Sequence, residues 1–279
     1  MTIKQVYFNK PNIKTLNKNG FLCVDMHCHT HYSDGISLKK IIKRAKKIGI
    51  GLAITDHNEI GGALEAAKQK DIFIIPGIEI NCIDGPHLLC YFYDTEELEK
   101  FYSKEIEKYK TKMRFAKIIK LPVISRKSYE VVKSAKDYNC LVSLAHPYGY
   151  IHMNIEKALF KDHYVRETIK GVDAFEVITS NQKRISNIRA YALQILLNKC
   201  VTAGSDAHTI YDLGSALTCA KAKSAEDFLE SIKFKTNIVV GKSYFRKKVA
   251  FTTGLLKRKS GQLQKIITNK VKNLIIKKS

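Results

Sequence analysis

The chain has 279 residues, 45% of them hydrophobic and 27% charged, which is the composition of a globular protein able to bury a substantial core. Its net charge of +22 is uneven: residues 1–20 hold four lysines and no acid, and residues 231–279 hold fourteen Lys/Arg and no acid. No run approaches the roughly 20 apolar residues of a membrane span, so no transmembrane segment is expected, and seven scattered cysteines without a C-x-x-C pair predict reduced thiols in a cytoplasmic protein.

In chain order, Leu22–Met26 reads as a buried strand leading into histidine-rich sequence. Leu38, Ile41, Ile42, Ala45 and Ile48 recur at helical spacing, and Gly49 stops that helix. Strands follow at Ile50–Thr55, Ile72–Ile75 and Leu88–Tyr93, with a helix ending near Lys70 between the first two. Thr95–Lys120 has helical periodicity, and a second helix is expected over Lys127–Tyr138. Further strands fall at Leu141–Ala145, Ala174–Ile178 and Val201–Ala203, with a helix over Ile185–Lys199. Strands and helices in alternation mark a parallel sheet with helical crossovers, and the strand count favours a closed barrel.

The polar residues sit where such a barrel builds its chemistry. His27 and His29 follow the first strand, Asp56 and His57 the second, Glu79 the third, His146 a later one, and Asp206 with His208 the last. In a β/α barrel the C-terminal strand ends meet at one rim. Residues far apart in sequence would therefore converge.

Asp25-Met26-His27-Cys28-His29 places two imidazoles two residues apart, on one face of an extended strand. A lone H-x-H is weak, and any single histidine is as readily a core or surface residue. Here the pair is followed by Tyr32-Ser33-Asp34-Gly35, Thr55-Asp56-His57, Gly77-Ile78-Glu79, His87, Ala145-His146-Pro147 and Gly204-Ser205-Asp206-Ala207-His208. Histidine mixed with carboxylate suits zinc, manganese or iron, and rarely selects calcium or magnesium.

These ordered motifs, from Asp25 to His208 and spanning about two thirds of the chain, resemble those of the polymerase-and-histidinol-phosphatase (PHP) family of metal-dependent phosphoesterases. The resemblance implies an α/β fold, a distorted (β/α)7 barrel carrying two or three divalent ions of zinc, manganese or iron. It implies that His27, His29, Glu79 and Asp206 hold a first ion, and that Glu79 bridges to a second held by His87 and His146. Asp34, His57 and His208 would bind a third, with Asp34 standing where other members use histidine. His87 opens a strand instead of ending one. Asp25 and Asp56 are expected to orient ligand imidazoles. Ions so held would activate a bridging water and neutralise phosphate oxygens, with Glu79, Asp206 and His208 nearest the chemistry.

Other residues carry weaker signals. Lys183 and Arg184 follow Asn181 in a loop that could contact substrate phosphate, and Arg126 and Lys127 are similar. Glu176 could face the rim or pair with a barrel lysine. Tyr148 and Tyr150 could stack on a base or pack the rim. Past Glu230, the residues Leu263, Ile266, Ile267, Val271, Leu274 and Ile275 describe a basic amphipathic helix, able to pack on the barrel, lie on an anionic membrane or grip nucleic acid. The expected organisation is a basic segment 1–20, a barrel over 21–230 and a basic extension over 231–279 packed on the barrel, since Val239, Val240 and Phe251 call for burial. The implied substrate is a phosphorylated metabolite, a nucleotide or a short oligonucleotide, with histidinol phosphate as an alternative. Amidohydrolase barrels also open with H-x-H but commonly bridge their ions with a carbamylated lysine, a role Glu79 would take here. A barrel retained only as a basic binding module would have lost ligands, and the set here reads complete.

Overall fold

In the computed structural model, which describes residues 5–114, 122–149 and 162–243, short apolar runs pair as strands and the amphipathic runs between them fold as helices. The strands are β1 (Val6–Tyr7), β2 (Leu22–Cys28), β3 (Gly51–Ile54), β4 (Ile74–Asn81), β5 (His87–Phe92), β6 (Lys110–Arg114), β7 (Pro122–Ile124), β8 (Cys140–Leu144), β9 (Ala174–Thr179), β10 (Cys200–Gly204), β11 (Ala216–Ala220) and β12 (Ile238–Gly241). The helices are α1 (Ile13–Lys18), α2 (Leu38–Ile48), α3 (Gly61–Ala67), α4 (Thr95–Phe101), α5 (Ser128–Ala135), α6 (His163–Gly171), α7 (Arg184–Leu197) and α8 (Ala225–Lys233). Among the described residues, no helix is long and apolar enough to cross a membrane.

Local sequence explains the boundaries. Leu38, Ile41, Ile42 and Ala45 bury one face of α2, and Gly49 ends it with φ 76°, a left-handed conformation that glycine adopts without steric penalty. Asp94 and Ser224 cap α4 and α8 by accepting backbone N–H groups that the first turn leaves unpaired.

One ten-stranded sheet runs in the order β1-β12-β11-β2-β3-β4-β5-β8-β9-β10. β2, β3 and β4 are parallel, β5 is antiparallel to both β4 and β8, and β8, β9 and β10 are parallel again. The sheet curls back on itself: Ala207, just past β10, bridges Cys28 at the end of β2, and His29 N donates to Ala207 O at 3.1 Å. The seven strands from β2 to β10 in this sheet form the curled, distorted barrel of an α/β fold. Met26, Ala53, Ile75, Leu89, Tyr91 and Leu141 make an apolar cluster with Phe228 and Leu229 of α8. Strand alternation puts Ile75 on the face of β4 that carries Glu79, so this cluster floors the site.

Four expectations change. β5 follows β4 directly as a hairpin, with no crossover helix. Among the described residues the helical reading of 95–120 holds to Phe101; a π turn and a 3-10 turn follow, Lys110–Arg114 is a strand paired with β7, and 115–120 lie outside the described residues. Cys23 and Cys219, opposite each other on β2 and β11 with Cα atoms 4.1 Å apart, form a disulfide where seven free thiols were expected. β12 pairs with β11 and β1, so residues assigned to both basic ends belong to the sheet. The amphipathic pattern at 263–275, Phe251 and Tyr150 lie outside the described residues.

Candidate metal centre

Glu79 is the hub. Its side chain is fully buried near the end of β4, where neighbouring strands deliver histidines to the same rim. Oε2 lies 3.3 Å from His27 Nε2, 3.4 Å from His29 Nε2 and 2.9 Å from His57 Nδ1. Oε1 lies 2.9 Å from His87 Nδ1 and 3.1 Å from His146 Nε2. One carboxylate thus meets five imidazoles, three on one oxygen and two on the other. His87 reaches it because β5 runs against its neighbours, so its first residue lies at the rim where the parallel strands end.

The remaining expected residues close the cluster. Asp206 Oδ1 is 3.2 Å from His29 Nε2 and 3.6 Å from His27 Nε2. Asp34 sits 3.3 Å from His208 Nε2, 3.8 Å from His57 Nε2 and 3.9 Å from His29 Nδ1. Three groups of donor atoms each lie within 4.8 Å of one another: His27, His29 and Glu79; His57, Glu79 and His87; and His29, Asp34, His57 and His208. Glu79, His29 and His57 each belong to two of these groups, a closer merging than three separate sites would show. His146 and Asp206 both hold left-handed backbone, φ 26° and 54°, which turns the chain sharply at the strand ends.

Two glycines of the motifs are explained by crowding. A Cβ on Gly204 would stand 2.3 Å from His27 Cβ, and one on Gly35 would stand 2.0 Å from the His29 carbonyl oxygen. Asp25 and Asp56 depart from expectation: they hold main chain and hydroxyls instead of rings, and Asp25 Oδ1 accepts from His27 N at 3.4 Å. Asp25 accepts from Ser205 Oγ at 2.6 Å and from the N–H groups of Ser205 and Gly214, both at 2.8 Å. Asp56 accepts from Thr30 N at 2.7 Å and from the hydroxyls of Thr30 and Ser33, both at 2.6 Å. Each thereby fixes a ligand-bearing loop.

The residue that does orient an imidazole is Glu176. Its Oε1 accepts from His27 Nδ1 at 3.0 Å and its Oε2 from His146 N at 2.8 Å. It pairs with two candidate ligand segments and not with a lysine. Strand alternation along β9 was the available signal, since Glu176 shares a face with Ala174, a member of the floor cluster.

The donor set fits divalent ions. With Nδ1 donating to Glu176, His27 turns Nε2 toward His29 Nε2 at 3.1 Å, toward Glu79 Oε2 and toward Asp206 Oδ1. These atoms converge at a largely buried point, and His29 Nδ1 is also buried with no hydrogen-bond partner. Burial lowers the basicity of His27, but Glu176, Glu79 and Asp206 outweigh it and draw positive charge to the ring. Burial, reinforced by His57, pushes His29 down to about 3, the neutral form that ligates metals. Burial would raise Glu79, yet His57, His27 and His87 hold it well below the carboxylate range. Burial lowers His208, but the Asp34 hydrogen bond and the Asp206 charge carry it up to about 9. A divalent ion would supply the positive charge this arrangement calls for.

The weaker candidates fall around this centre. Lys183 precedes the first turn of α7 and Arg184 begins that helix in an exposed position, beside Asn181, which donates to Asp206 Oδ2 at 3.4 Å. Arg126 pairs with Glu105, and Lys127 lies over the Tyr164 ring at 3.9 Å. Tyr148 stacks under Arg189 at 5.0 Å. Two tyrosines near these residues are exposed: Tyr211, 76% exposed, three residues past His208 and not singled out from sequence, and Tyr32, 43% exposed, two before Asp34 and with its hydroxyl donating to Glu65 at 3.0 Å.

Comparison with known proteins agrees with this architecture. The PHP domain model matches residues 25–196, and the PHP-associated model matches residues 184–237. No curated protein sequence matches the chain. A structure assigned as a metal-dependent phosphoesterase from Bifidobacterium adolescentis aligns with TM-score 0.52 and 21% identity, covering 75% of this chain and 94% of that one. Endonuclease Q, in complex with a 27-mer duplex substrate bearing an abasic lesion, aligns with TM-score 0.62 and 18% identity, covering 80% of this chain and 60% of that one. A two-domain protein from Bacteroides vulgatus with a predicted PHP-like metal-dependent phosphoesterase aligns with TM-score 0.56 and 15% identity, covering 87% and 70%. At these identities the likeness concerns the fold.

Proposed function

The chain belongs to the PHP domain family, a family of metal-dependent phosphoesterases, and we propose that it hydrolyses the phosphate ester of a nucleotide or short oligonucleotide at the Glu79 cluster. The observation that carries this reading is one buried carboxylate meeting five imidazoles through its two oxygens. His27, His29, Glu79 and Asp206 would hold one ion, Glu79, His87 and His146 a second, and Asp34, His57 and His208 a third. Zinc, manganese or iron fits this N/O set. Such ions supply an activated water near neutral pH and neutralise the charge on phosphate oxygens.

The chain's own residues set the rest. Asp25 and Asp56 lock the loops after β10 and β2, so the ligand geometry exists before substrate arrives. Asp34 and His208, with side chains 36% and 32% exposed, are the most open ligands and form the mouth through which the phosphate enters. Asn181 donates to Asp206 Oδ2, and in this reading Lys183 or Arg184, two and three residues further on, holds a phosphate oxygen.

The nucleotide preference rests on Tyr211 and Tyr32. Their loops carry His208 and Asp34, and exposed aromatics beside a phosphate site suit base stacking. Thr209 and Asp212 brace the Tyr211 loop: Thr209 Oγ1 donates to Asp212 Oδ2 at 2.6 Å. The basic ends add attraction for a polyanion.

The test is phosphate release by metal-reconstituted protein from nucleotides, short oligonucleotides, histidinol phosphate and sugar phosphates. Nucleotides or oligonucleotides should turn over fastest, with activity lost to chelator and restored by Mn²⁺ or Zn²⁺. Release confined to sugar phosphates, or undiminished in metal-free protein, would overturn the reading.

A further inference from the structure

Glu176 is 1% exposed, and its ion pair is with His27. Its two oxygens are used differently. Oε1 accepts from the His27 ring, and that ring presents Nε2 to Glu79 Oε2. Oε2 accepts from the backbone N–H of His146, whose φ of 26° is held against its steric preference and whose ring presents Nε2 to Glu79 Oε1. The two imidazoles lie stacked, with centroids 5.7 Å apart and planes 24° from parallel. Glu176 therefore grips, from behind, one donor on each side of the bridging carboxylate.

We propose that Glu176 is a positioning residue that couples the filling of the two ion sites on either side of Glu79. The proposal rests on the reading that the Glu79 cluster holds metal ions. A ligating imidazole needs its far nitrogen fixed by an acceptor, which sets both tautomer and ring orientation. Here that acceptor also fixes the main chain at a second ligand. A disturbance at Glu176 reaches a donor on each side of Glu79, whereas His208, at the mouth, faces Asp34 and Asp206 and touches neither His27 nor His146.

Glu176→Gln separates these roles while preserving size. An amide offers one oxygen and one NH₂ group, so it can accept from His27 or from His146 but not from both. With oxygen on His146, the NH₂ group faces His27 Nδ1 and moves the ring proton to Nε2, the atom turned toward Glu79. With oxygen on His27, the NH₂ group opposes the His146 N–H and releases its left-handed turn. Both outcomes damage one site directly and the other through Glu79.

The experiment titrates metal-free wild type, Glu176→Gln and His208→Ala with Zn²⁺ against a competing chelator, and counts bound zinc by elemental analysis. Glu176→Gln should weaken two ions together, by about 10- to 100-fold, while His208→Ala weakens one. Co²⁺ substitution should show an altered ligand-field spectrum in Glu176→Gln. A wild type that binds no metal sinks the underlying reading of the centre. A wild type that binds while Glu176→Gln binds equally well, or loses a single ion with the other unchanged, overturns the coupling alone. Nitrogen-15 NMR of zinc-loaded wild type gives a check independent of how the variant folds. It should find His27 protonated at Nδ1 and coordinated through Nε2, and coordination through Nδ1 would overturn the proposal.

Discussion

His87 Nδ1 lies 2.9 Å from Glu79 Oε1 although His87 opens its strand, while the neighbouring histidines close or follow theirs. The cause is direction. β5 is antiparallel to β4, with Asn81 opposite His87, so the start of β5 and the end of β4 share one rim. A parallel β5 would have placed His87 at the far rim, roughly 17–20 Å away at about 3.3 Å per residue.

Glu79→Ala should abolish phosphate release while leaving a folded barrel. The substitution removes a contact to each of five imidazoles at once, so a rate loss of at least ~10²-fold is expected, comparable to deleting one preorganised electrostatic group. His57→Ala should do less, because Glu79 keeps four imidazole neighbours. Rates from single-turnover assays under saturating metal, with circular dichroism as the folding control, decide it; near-normal turnover of Glu79→Ala means the hub is elsewhere.

Tyr211→Ala should raise KM for nucleotides by about 5- to 150-fold, the equivalent of one lost base stack. Turnover of a small phosphomonoester without an aromatic ring, such as glycerol phosphate, should stay close to wild type. Equal losses on both substrates would make Tyr211 a structural residue of its loop.

Gly204→Ala should destabilise the fold and empty the centre. The added methyl would sit 2.3 Å from His27 Cβ, so β2 and β10 must move apart. Overpacking of this kind costs roughly 1–3 kcal/mol. Thermal melts of metal-free protein and zinc counts of reconstituted protein read the two effects; a variant that melts and binds like wild type contradicts the close approach.

Ending the chain at Ser243 removes eleven Lys/Arg and no acid, yet keeps β12 in the sheet. The shortened protein should keep turnover of small phosphomonoesters and bind oligonucleotides more weakly, with a shallower dependence on salt because fewer counterions are released. Binding isotherms at several salt concentrations test this, and an unchanged slope would place polyanion binding on the barrel. Ending the chain at Glu230 should instead unfold it, since β12, which is paired on both sides, would be lost.

Much of the site was legible because metal ligation needs particular side chains in a particular order. His27, His29, Glu79, His146, Asp206 and His208 stand at apolar strand ends, and period-two alternation places His27 and His29 on one face. α2 was legible for the same local reason, with an apolar stripe stopped by Gly49. What sequence left open depended on partners distant along the chain. Whether Glu176 meets a lysine or a histidine is decided 149 residues away at His27, and whether Asp25 serves an imidazole or a loop is decided 180 residues away at Ser205. The strand at Lys110–Arg114 kept a helical pattern in sequence because its pairing with β7, not its own periodicity, fixes its backbone. Local chemistry pointed to the candidate ligands; only the curl of the sheet, by bringing β10 back to β2, gathers them around Glu79 and sets Glu176 behind His27.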